Sequence, residues 1–431
     1  MTWRDRRAPL RPELVLGELR FRGHAHRFGL LGPDRLRHVY VLGSTGVGKS
    51  TLLEHIAIQD MRAGRGLAVI DPHGALVSAL IPHLPRRRLH QTLLIDPADA
   101  ARPIAFNVFR RGSQRAASSS LLASQVLSVF KARWGEFWGP RLEHILRMGL
   151  LATAAHPEAT LLLLYQLLSD EQVRERVLRH VTDPLVRAYW TREFPSYSKA
   201  LRGDALSPVL NKLGALLATQ AIRPMVAGVR SRIDWTQLMA ERSIVLADLS
   251  VGRIGEDAAH LLGSLLVSSM QLAAFSRTEK PTPFTMVLDE FQHFVGGSIP
   301  TVLSEARKYG LSMVLAHQYL GQVPQAIREA IIGNVGTMLL LRVGGADADT
   351  LAPEVSPQFS AADLQHLPRY TMIARMTAGG GLLDPFVGTT LPPLVGPGEV
   401  TRAQLAAASH ARFGSDAAAT DAAIERALSD T

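Results

Sequence analysis

The hydrophobic positions of this chain follow two rhythms that take turns. Short unbroken apolar runs, "HVYVLG" (38–43), "GLAVIDPHG" (66–74) and "QTLLIDPAD" (91–99), are separated by stretches whose apolar residues recur at helical spacing, as in "KSTLLEHIAIQDMRAG" (49–64), which closes on Gly64. A strand that is apolar on both sides is one buried on both faces, and strands alternating with helices predict a parallel sheet with right-handed crossovers. From "RGSQRAASSS" (111–120) to about residue 235 the strand rhythm stops. Helical periodicity takes over in "LLASQVLSVFKA", "RLEHILRMGLLATAA" and "DEQVRERVLRHV", which reads as an all-helical insertion. Strands resume with "SIVLADLS", "FTMVLDE", "LSMVLAHQ", "GTMLLLRV" and "YTMIARM". A Pro/Gly-rich stretch, "LPPLVGPGE", then leads into a terminal segment of helical character, "DAAATDAAIERALSD" (416–430). Ahead of the first core strand, "ELVLGELRFRGHAHRFGLL" (13–31) alternates with glycine punctuation, as a small antiparallel ribbon would. The fold class expected is α/β, with a mostly parallel sheet. It is divided into an N-terminal β ribbon (1–37), the first part of a core (38–111), an all-α inserted domain (112–235), the second part of the core (236–395) and a C-terminal helical tail (396–431).

Composition adds bounds to this outline. A chain of 431 residues, 47% hydrophobic and 20% charged, is an ordinary globular protein with room for two or three domains. Lys+Arg exceed Asp+Glu by 47 to 38, and the resulting +9 favours a polyanionic partner without demanding one. The absence of cysteine excludes disulfides, thiolate metal sites and cysteine nucleophiles, and fits a reducing compartment. The start, "MTWRDRRAPLRPELVLG", holds no apolar core for a signal peptide. The longest apolar candidate, "LLLLYQLL", falls far short of the roughly 18 residues that span a bilayer, so a soluble chain without a membrane-spanning segment is expected.

The chemistry concentrates where the first core strand meets its helix. "GSTGVGKST" (43–51) is Gly, four residues, Gly, Lys, Ser. Gly43, Gly46 and Gly48 let the backbone wrap so that the N–H groups of Ser44, Thr45, Val47 and their neighbours point at phosphate oxygens. Lys49 would reach the β- and γ-phosphates, Ser50 would complete a Mg²⁺ shell, and Thr51 continues into the helix. Strand, loop and helix in that order aim a positive helix end at the phosphates, so a bare glycine-rich turn is the weaker reading. The second half of such a site is expected on "FTMVLDE", an apolar strand ending in two acids at the edge where open parallel sheets bind ligands. There Asp289 would hold the Mg²⁺ and Glu290 would orient or activate the attacking water; the alternative is a helix-start capping pair. Lys49 and Asp289 lie too far apart for a simple nucleotide kinase, a gap the helical insertion accounts for.

Taken in order, "HVYVLGSTGVGKSTLL", "GLAVIDPHGALV", "LLIDPAD…IAFNV", "SIVLADLSVGRIGED", "VLDEFQHF", "SEARKYGLSMVLAHQ" and "IIGNVGTMLLLRVGGADADTLA" resemble the conjugative coupling-protein ATPases of type IV secretion, the TraG/TraD-like branch of the HerA/FtsK superfamily of DNA pumps. The resemblance covers nearly the whole chain and is weakest over the first 35 residues and at the extreme C-terminus. It implies a RecA-like P-loop NTPase core that hydrolyses ATP with Mg²⁺, an all-α domain on its cytosolic face, and a homo-hexameric ring with DNA in the central channel. It also implies a cytoplasmic location, recruitment to the inner face of the membrane by partners, and contacts with a relaxase and type IV secretion components. Arg307 matches the position of an arginine finger reaching a neighbour's nucleotide; a solvated arginine beside Lys308 is the alternative. Gln318 matches a glutamine that senses the γ-phosphate, with a strand-end cap as the alternative. Many relatives carry an N-terminal membrane anchor, and this chain starts almost at the motor. That leaves open a HerA-like motor for DNA ends in repair or defence, and, from another class, a nucleotide-switched scaffold that moves no DNA.

Other features are ambiguous. Asp71 of "VIDPHG" ends the second core strand, where it could contact metal or water or simply form an Asp-Pro turn. "HAH" (24–26) has strand spacing for metal ligation but no third ligand, so exposed histidines are expected. "RWGEFWGP" (133–140) interleaves aromatics and arginine as a stacking platform for single strands might, but Trp134, Phe137 and Trp138 are spaced for packing on a helix. "PRRRLH" (85–90) reads equally as a solvated run or a phosphate contact, and "GGSIP" (296–300) is one loop that could line a pore.

Overall fold

Strands apolar on both faces need covering on both, and that need sets the layers of the molecule. The computed structural model describes residues 12–110, 119–135, 138–219, 221–277, 281–294, 296, 299–415, 422 and 425. Among these, the strands are β1 (Leu14–Phe21), β2 (His24–Leu30), β3 (Val39–Leu42), β4 (Gly66–Asp71), β5 (Thr92–Ile95), β6 (Ile244–Asp248), β7 (Phe284–Leu288), β8 (Leu311–His317), β9 (Thr337–Leu340), β10 (Thr371–Ala378), β11 (Gly381–Leu382) and β12 (Phe386–Thr389). They form one sheet in the order β2-β1-β12-β10-β9-β3-β8-β7-β4-β6-β5, with β11 paired to β10.

From β9 to β5 every pairing is parallel and every residue of the strands is buried. Alternate residues divide between the two layers. Val39, Val41, Leu67 and Val69 pack toward helices Lys49–Arg62 and Ala75–Leu80, while Tyr40, Leu42, Ala68 and Ile70 pack toward helix Glu256–Phe275 and the helical insertion. Helix Glu256–Phe275 is long and apolar enough to cross a membrane by composition, yet it is mostly buried inside the protein. Its apolar run is broken by Glu256, Asp257, His260 and Gln271, so it does not read as one unbroken stretch.

The insertion leaves the sheet after β5 and returns just before β6. Its longer helices are Ser119–Trp134, Pro140–Ala155, Leu161–Ser169, Glu171–Leu178 and Lys199–Ala218, with Trp190 and Phe194 fully buried among them. The two crossings are tied together at Asn107, whose amide donates to the carbonyls of Ala159 (2.8 Å) and Val229 (3.4 Å). Trp134 and Trp138 both pack against the core, as their spacing predicts, but from two different segments. Trp134 ends its helix stacked on Phe130 at 4.7 Å, and Trp138 lies just before helix Pro140–Ala155, its Nε1 donating to Glu143. Phe137 lies outside the described residues, as do most of residues 111–120 and 416–430.

At the other edge the sheet turns antiparallel. The N-terminal ribbon is a β1/β2 hairpin, but not a separate unit: β1 pairs with β12 at Glu18 and Thr389, and β12 and β9 flank β10. Gly17 makes this possible, because a Cβ there would collide with the Thr389 carbonyl oxygen. The chain then runs back across the helices of that face, with the Pro392 carbonyl accepting from His55 Nε2 and Gly398 N–H donating to Pro82, and closes the far edge with helix Arg402–Phe413 against β5. The basic run at 85–90 has a mixed fate. Arg88 is buried and donates to the carbonyls of Met61, Arg65 and Arg242, while Arg86 and Arg87 are exposed.

Candidate nucleotide site

Six residues, Gly43–Gly48, join β3 to helix Lys49–Arg62. Gly46 and Gly48 have φ of 76° and 115°, a region that side chains disfavour. A Cβ on Gly43 would lie 2.7 Å from Leu341 Cβ. Only glycine fits this cradle, and it leaves the N–H groups at the helix start turned toward whatever anion the loop holds. Lys49 is buried, and its Nζ donates to the carbonyls of Gly43 (2.6 Å) and Ser44 (3.1 Å). Burial lowers its pKa against the opposing pull of Glu290 and Asp289. Ser50 is exposed at the first helical turn.

The acidic pair lies two strands away, past the end of β7. Burial first, then the charges of Asp71 and Glu290, push the Asp289 carboxyl up to about 6, while Lys49 pulls it down. Glu290 occupies left-handed backbone space (φ 46°, ψ 52°), which for a non-glycine residue costs on the order of 1–3 kcal/mol. Its carboxylate is fixed from both sides: Gln318 Nε2 donates to Oε1 and Gln292 Nε2 to Oε2, each at 2.8 Å. Gln318 Oε1 in turn accepts from the Thr45 hydroxyl at 2.9 Å. A continuous polar chain therefore runs from the glycine loop through Gln318 to the strained glutamate.

Asp71 takes the turn-forming course. Its oxygens accept from the N–H groups of His73 (2.8 Å) and Val77 (3.0 Å), which caps helix Ala75–Leu80. It touches the site as a charge, through Asp289. Arg307 is not brought to this cluster. It is exposed in the turn Ala306–Tyr309 that precedes β8, at the sheet edge opposite the one carrying Lys49. The strand histidines at 24–26 are exposed. Among the described residues no group of three or more His, Asp or Glu is arranged to hold a metal alone. Mg²⁺ needs no such cage, since it takes one or two protein oxygens and completes its shell with phosphate and water. The Ser50 hydroxyl and the Asp289 carboxylate are hard oxygen donors of that kind.

Four participants carry no signal in the sequence pattern: Gln292, Tyr40, His317 and Tyr370. Gln292 holds Glu290 from two positions on, within the turn that follows the strand. Tyr40 and His317 lie under the loop with the Tyr40 hydroxyl 2.6 Å from His317 Nε2, and burial pushes the imidazole down to about 3, so it stays neutral at physiological pH. Tyr370 leans on the glycine loop itself. Its backbone is held at φ 65° by donating to the Val47 carbonyl (2.9 Å) and accepting from Thr390 N–H (2.8 Å). Its ring lies where a Cβ on Gly48 would be (2.9 Å), and the residue stays half exposed. A tyrosine with positive φ has no local sequence signature.

Similarity to known proteins follows the same geometry. Residues 33–354 match the type IV secretion-system coupling protein DNA-binding domain. The type 4 coupling protein DotL of Legionella pneumophila is 25% identical over 365 residues, covering 69% of this chain and 45% of DotL, so the chain spans less than half of that relative. Among solved structures, the bacterial conjugative coupling protein TrwB in an unbound form superposes with a TM-score of 0.64 at 15% identity, covering 85% of this chain and 87% of that one. TrwB in complex with ADP and Mg²⁺ gives 0.62 at 15% identity, covering 86% and 90%. VirB4 of Thermoanaerobacter pseudethanolicus gives 0.57 at 14% identity, covering 92% and 98%. At such identities the structures speak for the fold, a P-loop α/β core with a helical insertion, while the family match rests on sequence over most of the chain. The chain belongs to the type IV secretion-system coupling protein family.

Proposed function

We propose that this protein is an ATP-hydrolysing, DNA-binding motor that acts as a coupling protein in conjugative transfer or secretion, working on the cytoplasmic side of the membrane as a homo-hexameric ring with relaxase and secretion-channel partners. The observation that carries the reading is the polar chain Thr45–Gln318–Glu290, which links a glycine phosphate cradle to a general base. Lys49 would exchange its loop carbonyls for the β- and γ-phosphates. Glu290, held on both oxygens, would take the proton of the attacking water. Gln318 touches both the loop and the base, so loss of the γ-phosphate would be felt at Glu290. Mg²⁺ bound by Ser50 and Asp289 would neutralise charge on the phosphates. Arg307, remote from its own loop, would serve a neighbour's site. The formal charge of +9 and the DNA-binding domain match support a nucleic-acid partner, and the nucleotide complexes of TrwB support ATP as ligand.

The test is steady-state ATPase activity with and without single- and double-stranded DNA, across protein concentration, for wild type and Lys49→Ala. Turnover that DNA stimulates, that rises steeply with concentration and that Lys49→Ala abolishes is expected. Turnover indifferent to both DNA and concentration would replace the motor with a nucleotide-switched scaffold.

A further inference from the structure

The two crossings between sheet and insertion enclose a cleft of about 960 Å³. Its walls come from the outgoing segment (Asn107, Arg110), the returning segment (Arg230, Arg232) and two loops of the insertion carrying His156 and His180. Among the described residues no aspartate or glutamate lines it, and the acid that acts on His156 is the exposed Glu158, next to the wall residue Pro157. Arginine pairing is common but not general in this chain: Arg102, Arg133, Arg147, Arg253, Arg402 and Arg412 form ion pairs, while among the described residues Arg20, Arg22 and Arg307 form none. Among the described residues Arg110, Arg230 and Arg232 form none, and all three are exposed. His156 and His180 meet edge to face at 4.5 Å, and burial followed by the nearby His180 lowers the His156 pKa. Cations left unpaired around one concavity make a preformed anion site, because the field is already focused before a ligand arrives.

We propose that this cleft binds the phosphodiester backbone of a single nucleic-acid strand at the root of the helical insertion. Guanidinium forks match phosphate oxygens in pairs. An acidic protein segment would need deep apolar pockets for large anchoring side chains, whereas the walls between the cations are small alanine, serine and threonine residues with Pro157 and Val229, and the one aromatic, Phe109, is itself buried. The volume is that of a small-molecule pocket, which admits a few nucleotides of one strand and excludes a duplex. Since Asn107 pins both crossings to each other and to the loop at Ala159, a strand held here pulls on sheet and insertion together. The site lies where the chain leaves the sheet for the helical insertion and where it returns, which makes it a place where DNA engagement reaches the ATPase core. The inference rests on the motor reading above, and adds a location and a strand state to it.

The test is binding of a fluorescent oligothymidylate across a salt series, on the full chain, for wild type, Arg230→Glu/Arg232→Glu, Arg110→Glu, and Arg20→Glu/Arg22→Glu on the exposed β1/β2 hairpin as a matched charge control. The cleft double variant should lose at least about tenfold in affinity, with a salt slope shallower by about one to two. Its affinity for a fluorescent ATP analogue and its DNA-free ATPase rate should stay at the wild-type values, and the hairpin control should keep most of its DNA affinity. Equal losses in cleft and hairpin variants would reduce the effect to net charge and overturn the site. Polyglutamate binding that the cleft variant abolishes while DNA binding is unchanged would assign the cleft to a protein partner instead. If wild type itself binds no oligonucleotide, the motor reading fails first and the cleft with it.

Discussion

Asp289 is surrounded by Asp71, Glu290 and Lys49 with little water between them, so its negative charge is harder to form in the folded chain than in the unfolded one. Its folded pKa, about 6, lies above the roughly 3.9 of a free aspartate, so this group weakens the fold as pH rises from about 4 to about 6, and the cost stays in full above that. Asp289→Asn should therefore stabilise the nucleotide-free protein at about pH 7.5 by on the order of 1–3 kcal/mol, with the gain vanishing near pH 4. Urea titrations of both proteins at the two pH values check this; an equal gain at each would mean the charge is not strained. Tyr370 makes a different kind of prediction. An exposed aromatic face beside Gly48 is placed to stack on a nucleobase, an interaction typically worth about 1–3 kcal/mol. Tyr370→Ala should weaken ATP binding about tenfold while leaving inorganic tripolyphosphate untouched, and Tyr370→Phe should keep both, as competition against a fluorescent nucleotide would read. Equal weakening of ATP and tripolyphosphate by Tyr370→Ala would mean the ring only props the loop.

At the scale of elements, the C-terminal helix Arg402–Phe413 holds the far edge of the sheet at three points: Ser409 bonds the Leu94 backbone of β5, Arg412 pairs with Glu241, and Arg402 carries the strongest charge contact. Arg402 bridges Asp96, half-buried after β5, and Asp248, buried at the end of β6, and Arg253 pairs with the same two acids. Removing one of two cations from these acids leaves them partly compensated. Arg402→Ala should accordingly cost about 1–2 kcal/mol in a denaturant titration, discounted because Arg402 is itself a third exposed, with no change in nucleotide affinity. A loss of nucleotide affinity would instead make this strap part of the site. This helix also marks what sequence could not show. The parallel strands were legible because burial on both faces writes an unbroken apolar run, and Gly43–Thr51 and Asp289–Glu290 because each is a contiguous motif at the end of such a run. Gln318 stood out only through family resemblance, and its bridge from Thr45 to Glu290 is a property of three strands brought side by side. The pairing of β1 with β12 joins residues from the two ends of the chain, and no local pattern encodes it. Tyr370 and helix Arg402–Phe413 belong to the same class, with a position set by contacts hundreds of residues away.

For the whole molecule the decisive feature is the placement of Arg307. β8 pairs in register with β3, Val314 beside Val39 and His317 beside Leu42, so the glycine loop begins where β8 ends and Arg307 lies before β8 begins. Six residue steps of strand, about 20 Å, separate the two edges, farther than an arginine side chain reaches. If Arg307 acts on phosphate at all, it acts on another copy's. Two inert variants then become informative together. Lys49→Ala lacks the phosphate grip but presents a sound arginine, and Arg307→Ala has a sound cradle but offers its neighbour nothing. Mixed in equal amounts and allowed to reassemble, they create junctions in which an intact cradle faces an intact arginine, and ATPase activity should return to a sizeable fraction of wild type. Nucleotide affinity of Arg307→Ala alone should be near normal, because a finger of this type works on the transition state, where it is worth about 10³ to 10⁵ in rate. Mixing that restores nothing, despite exchange of subunits verified by differential labelling, would return Arg307 to the solvent and require the charge of the transition state to be met within one chain. Full activity of Arg307→Ala alone would dispense with the residue while leaving the ring intact as a possibility to be read from the concentration dependence of wild type.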